Sequence, residues 1–153
     1  MITEDYVSSE TAKLLKEKGF REWCRKCYGL DVRHNGEPID VDEEYELKDA
    51  GRENEIEYVD GGRMYDYGCG NFNPGSPYAA PSLYVAMKWL REVHHLVIQI
   101  EFIDFLELGE VWFYSIIERK TIKQLTGRDA DFTEHSYEEA CEAGIRYCLE
   151  NLI

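Results

Sequence analysis

The sequence predicts an α+β fold: an antiparallel sheet of hairpins covered by about three helices, in a single domain spanning residues 1–153. Three observations carry that expectation. Residues 80–95 and 137–152 place apolar side chains at helical spacing, and residues 97–118 switch to the alternation of a strand pair. Asn35-Gly36 and Asp60-Gly61-Gly62 supply the positive φ that tight hairpins need. With 153 residues, 44% of them hydrophobic and 13% aromatic, the chain holds enough apolar material for one core.

The first helix is expected to begin near Ser8 or Ser9, whose hydroxyls can accept an orphan backbone N–H, with Glu10 set in the first turn against the helix dipole. Gly19 ends it at a left-handed position, which puts Phe20 where an apolar contact back to Leu15 closes the helix. Ala12, Leu14 and Leu15 form a narrow stripe, so this helix lies at the surface of the core. Two hairpins follow, residues 27–32 with 37–41 and residues 55–59 with 63–67. Between them, residues 42–54 are almost wholly polar and read as an acidic loop or a solvent-facing turn of helix. Residues 67–81 hold three glycines and three prolines, too many for regular structure, and read as a loop of aromatic content.

The helix over residues 80–95 turns Leu83, Ala86, Met87, Leu90 and Val93 or His94 to one side, with Trp89 widening that face; Lys88, Arg91, Glu92 and His95 fall opposite. Ile98, Ile100 and Phe102 then alternate with Gln99 and Glu101, and a turn around Gly109 leads into a partner strand over 111–117. Ser136 and Glu139 spell a capping box. Tyr137, Cys141, Gly144, Ile145, Cys148, Leu149 and Leu152 make one continuous stripe behind it.

The formal charge is -14, and its placement is uneven. Residues 31–66 carry four basic and thirteen acidic groups, and residues 129–153 carry one and seven; the remainder is close to balanced. Such a chain repels nucleic acid and anionic membranes, because backbone binding needs clustered Lys and Arg to release counterions. An acidic surface suits either solvation or a basic protein partner. No apolar run reaches the roughly 20 residues of a membrane helix, and MITEDYVSSE has neither a basic nor an apolar leader region, so a soluble, cytoplasmic protein is expected. Five irregularly spaced cysteines fit reduced thiols.

Chemical motifs are weak. Trp23-Cys24-Arg25-Lys26-Cys27 is similar to a thioredoxin-type W-C-x-x-C, and nearby cations could depress a thiol pKa, but no buried strand precedes it and Tyr28-Gly29 follows at once. A metal pair is the other chemical reading, with His34, Cys69, His94, His95, Cys141 and Cys148 as the remaining ligand candidates; none forms a second close-spaced pair. Cys141 and Cys148 share a helix face, where cysteine serves as a small hydrophobe. Gly70 to Gly75 has phosphate-loop spacing but is followed by Ser76-Pro77 rather than Lys and Ser or Thr. Neither a catalytic set, a metal site nor a cofactor is expected. The loop over 65–78 remains: Arg63, Tyr65, Tyr67, Asn71, Asn73 and Tyr78 could stack and hydrogen-bond a small anionic ligand ahead of a helix N-terminus, or pack the loop onto the sheet.

Three segments, AKLLKEKGF at 12–20, APSLYVAMKWLREVHH at 80–95 and YEEACEAGIRYCLENLI at 137–153, resemble a family of small uncharacterised proteins of gut Bacteroidales and their phages or mobile elements. The resemblance implies a bacterial cytosol and a phage or mobile-element context, and brings no catalytic residues. It departs most over 31–73. Two functions are expected from all this. The first is a non-enzymatic accessory protein that binds a host or phage protein through an acidic surface, with Asp42, Glu43, Glu44, Glu46 and Asp49 as contact residues. The second is a small-ligand or nucleotide-sequestering protein using the tyrosine-rich loop. Sheet edges and eleven tyrosines also suit a homo-oligomer.

Overall fold

A computed structural model describes residues 1–28, 33–34, 37–38, 56–59, 62–65, 71, 78–105, 109–126 and 133–153, with backbone alone at 33–34, 37–38, 56–59, 62–65, 105 and 133. Helices and antiparallel strands are both present, so the chain is α+β. Its residues group into two compact units, residues 8–81 and a discontinuous unit of 1–7 with 82–153.

In the unit of residues 8–81, α1 runs Ser9–Glu17 and is followed by β1 (Lys26–Tyr28), β2 (Arg33–His34), β3 (Glu37–Pro38), β4 (Ile56–Val59), β5 (Gly62–Tyr65) and β6 (Tyr78–Ala80). Ser8 is the N-cap of α1, its Oγ accepting from the Thr11 N–H. At the other end Gly19 adopts φ +93, and the Phe20 and Gly19 N–H groups donate to the carbonyls of Leu15 (2.9 Å) and Lys16 (3.2 Å). This is the expected glycine-closed terminus. Leu15 and Phe20 are fully buried with Ala12, while Leu14 is half-buried.

The sheet of this unit has the order β4-β5-β1-β6, and α1 packs on β6. The hairpin β4–β5 forms, with Val59 paired to Gly62, so that Gly62, expected in the turn, begins the second strand. The other hairpin differs. Among the described residues Arg33 and His34 pair with Pro38 and Glu37, and the rest of the expected hairpin, 29–32 and 39–41, lies outside them; Cys27 and Tyr28, expected to pair with 37–41, pair instead with Tyr65 and Met64 on one side and Ala79 and Tyr78 on the other. A three-residue strand flanked on both sides becomes central, which explains why Cys27 and Tyr28 are buried. Residues 78–80, expected to be loop and helix start, are β6, at the end of the order of described strands, and Pro81 follows its last paired residue.

The second unit contains α2 (Leu83–Val93), β7 (Leu96–Phe105), β8 (Gly109–Glu118), β9 (Lys123–Thr126), β10 (Thr133–Glu134) and α3 (Tyr137–Asn151). Helix α2 starts three residues later than the sequence suggests, because Ser82 caps it through Val85 N–H; the Leu83 N–H donates to the Asp5 carbonyl at 3.0 Å. It also ends earlier: His94 is the C-cap and His95 takes φ +59, a left-handed stop. Strands β7 and β8 pair over ten residues from Leu96 opposite Glu118 to Phe105 opposite Gly109, and β9 and β10 both pair on the far side of β8.

Helix α3 buries Ala140, Cys141, Gly144, Ile145, Cys148 and Leu149 against β7 and β8, with α2 packed beside it. Gly144 is needed for close approach, since a Cβ there would sit 2.8 Å from Ile98 Cγ2 and 3.4 Å from Tyr114 Cβ. The capping box is altered. Ser136 Oγ accepts from the Glu139 N–H at 3.1 Å, but the Glu139 carboxylate reaches past the N-cap to the N–H of His135 at 2.9 Å. Among the described residues no helix is long and apolar enough to cross a membrane.

Candidate functional site

The residues singled out by sequence divide by what the structure describes. Asp42, Glu43, Glu44, Glu46 and Asp49 lie outside the described residues, as do Tyr67 and Asn73; Arg63 and Tyr65 are placed in β5 by their backbone. Asn71 is fully buried, with its amide committed inside the fold. Its Nδ2 donates to the Phe20 carbonyl at 3.2 Å, its Oδ1 accepts from the Ala79 N–H at 2.8 Å, and its carbonyl accepts from Arg21. These bonds tie the end of α1 to β6, a structural duty carried by the side chain that the sequence offered as a ligand contact. Tyr78, half-buried in β6, carries the Lys16 ammonium over its ring at 5.3 Å from the centroid. That cation–π contact also belongs to the fold.

The cysteines and histidines follow the same pattern. Cys27 lies within β1 and Cys24 before it, both buried, so the W-C-x-x-C sequence opens no helix and lacks the helix dipole that activates a redox thiol. Burial pushes the Cys141 thiol up to about 11 and the Cys148 thiol up to about 12, which keeps both protonated and inert. His94 sits edge-on to Trp89 with ring centroids 4.6 Å apart, and its buried Nε2 has no hydrogen-bond partner among the described residues. Burial first, and then the neighbouring His95, lowers its pKa. Among the described residues no group of three His, Cys, Asp or Glu side chains is arranged to hold a metal ion.

A different cluster stands out at one end of the β7–β8 sheet. Cross-strand pairing sets Phe102 on β7 directly opposite Trp112 on β8, and Trp112 opposite Glu134 on β10. Residues opposite one another share a sheet face, so the three form a row. Tyr137, the first residue of α3, closes on Trp112 from the helix side. Ring centroids are 4.9 Å apart for Phe102 and Trp112 and 5.6 Å for Trp112 and Tyr137, the latter edge to face at 84°. Phe102 keeps 48% of its surface exposed and Tyr137 45%, so both depart from the core stripes to which their spacing assigned them. Three adjoining rings, two of them half in water, form an apolar strip larger than scattered surface residues would make.

Carboxylates surround that strip. Asp104 and Glu110, both exposed, lie directly opposite one another in the next row, a like-charge juxtaposition that costs stability in a strand pair. Glu134 is half-buried at the end of the aromatic row, and burial, followed by the charge of Glu139, raises its pKa. Glu138 is exposed beside Tyr137. The π faces and the crowded carboxylates favour the same species, a cation bearing an apolar stem such as Lys or Arg. Sequence reasoning missed the site because Phe102, Trp112, Glu134 and Tyr137 come from four elements whose register decides their meeting. The available signal was the acidic excess of residues 129–153 directly behind an aromatic hairpin. Comparison with protein-family models, curated proteins and solved structures found no match to the chain.

Proposed function

We propose that this protein is a non-enzymatic accessory protein of a phage or mobile element that binds a basic host or phage protein, and that the Phe102–Trp112–Tyr137 strip with its carboxylates is the contact surface. The observation that supports it most is the aromatic row bordered by Asp104, Glu110, Glu134 and Glu138. A Lys or Arg side chain laid on the strip would gain cation–π and hydrophobic contact and relieve the repulsion between Asp104 and Glu110; a desolvated cation–π contact is worth about 2 kcal/mol. The three-segment resemblance supplies the biological context, and the protonated helix thiols favour binding over thiol chemistry.

The test is titration with a Lys/Arg-rich peptide, a neutral peptide and an acidic peptide, followed by tryptophan fluorescence and calorimetry. The basic peptide alone binds, binding weakens as salt rises because the Debye length shrinks to about 8 Å at physiological ionic strength, and Trp112→Ala lowers affinity at least tenfold. Equal binding of all three peptides, or an unchanged affinity in Trp112→Ala and Glu134→Gln, would falsify the proposal.

A further inference from the structure

Among the described residues, strand β7 has a partner on one side only. In the sheet order it stands at the end, and it faces β8 over ten residues without a bulge. The Arg119 N–H donates to the His95 carbonyl at 2.7 Å, and these two residues continue the β7–β8 register by one pair. In an antiparallel ladder bonded and non-bonded pairs alternate. Odd-numbered residues of β7 therefore direct their N–H and C=O groups to β8. Leu96, Ile98, Ile100, Phe102 and Asp104 direct theirs to the open side, where no described residue pairs with them. Edge strands avoid association through charged side chains, proline, bulges or brevity; LVIQIEFIDF has no proline, lysine or bulge over its ten residues, and Glu101 and Asp104 are its charges.

We infer that β7 pairs antiparallel with β7 of a second copy about a two-fold axis perpendicular to the sheet, joining the two four-stranded sheets edge to edge. Two registers keep nearly the whole strand paired, one centred on Ile100 and one on Glu101. The second puts Glu101 directly against its own copy, a like-charge contact that opposes association. Centring on Ile100 sets Ile100 against its copy, Ile98 against Phe102, and Gln99 against Glu101, where the amide can donate to the carboxylate. It also covers the exposed ring of Phe102 with an aliphatic side chain and satisfies the outward N–H and C=O groups in bonded pairs. Phe102 belongs both to this edge and to the proposed contact strip, whereas Trp112 lies on β8 and Tyr137 on α3; the pairing rests on the backbone of β7 and not on the basic partner.

Sedimentation velocity of the full chain over a range of concentrations reads the outcome: the expected species is a dimer of the 17.9 kDa chain. Ile100→Pro removes an outward N–H while sparing the bonds to β8, and should yield a folded monomer by circular dichroism. If that variant fails to fold, Ile100→Cys decides: mild oxidation should link two chains through residue 100, with Glu101→Cys and the wild type linking far less. A chain that stays monomeric up to its solubility limit overturns the inference. So does a dimer that Ile100→Cys cannot capture, or β7 amide protection that appears only when a foreign peptide is added.

Discussion

At the scale of single residues, burial decides the fate of groups that look chemical in the sequence. Asn71 is the clearest case: its side chain bridges the Phe20 carbonyl and the Ala79 N–H from a left-handed backbone position at φ +57. Asn tolerates that conformation because its short polar side chain bonds locally, and a methyl group cannot replace either bond. Asn71→Ala should lower stability by about 2–3 kcal/mol in denaturant unfolding, chiefly from the buried groups left unpaired; a loss within error would show that the amide is not holding the loop. His94 is the pH-sensitive counterpart. Its folded pKa lies below the ordinary 6.5, so between the two values the unfolded chain holds more protons than the native one. Its contribution to stability is therefore present above about pH 6.5 and is lost as pH falls through the lower, folded value. NMR titration should give His94 a midpoint below 6.5, and a midpoint above it would contradict its burial against Trp89.

At the scale of elements, the caps at Ser8 and Ser136 were legible because each is a local contract between one side chain and one turn of backbone, whereas the cap at Ser82 was hidden by a helical pattern that runs back to Ala80. Ser8, Ser82 and Ser136 all accept the N–H three residues on. Bounds shifted where a competing partner existed: Ala80, inside an apparent helical run, is held by pairing with Lys26. Contact between helix and sheet is a different matter, since Gly144 reads in the sequence only as a weak helix former. In Gly144→Ala the helix-propensity gain of about 1 kcal/mol meets an overpacking cost of about 1–3 kcal/mol from Ile98 Cγ2 at 2.8 Å. The expected net result is a modest loss. A double-mutant cycle with Ile98→Ala, which removes the clashing methyl, should give a loss smaller than the sum of the single effects; strict additivity would mean that α3 simply shifts away.

At the scale of the whole molecule, the acidic excess and the aromatic strip describe one another. Charge totals predicted a partner of opposite sign but pointed to residues 42–49, which lie outside the described residues. The strip instead uses carboxylates spread over 104–138, too far apart in sequence to read as a cluster. Sheet register brings them together. Of the tyrosine-rich segment, Asn71 and Tyr78 make contacts within the fold, while Tyr67 and Asn73 lie outside the described residues.

The sequence by itself determined the α+β class, the three helices with the serine caps of the first and last, the hairpin of β4 with β5 and the pairing of β7 with β8. All rest on interactions within a few residues or on a period that one element carries alone. Only the tertiary structure decided that Cys27 and Tyr28 sit between two strands, that Phe102 and Tyr137 remain half in water, and that β7 is an edge among the described strands. Those outcomes depend on which strands become neighbours, and neighbour choice is set by the summed packing of distant segments, which no local pattern records.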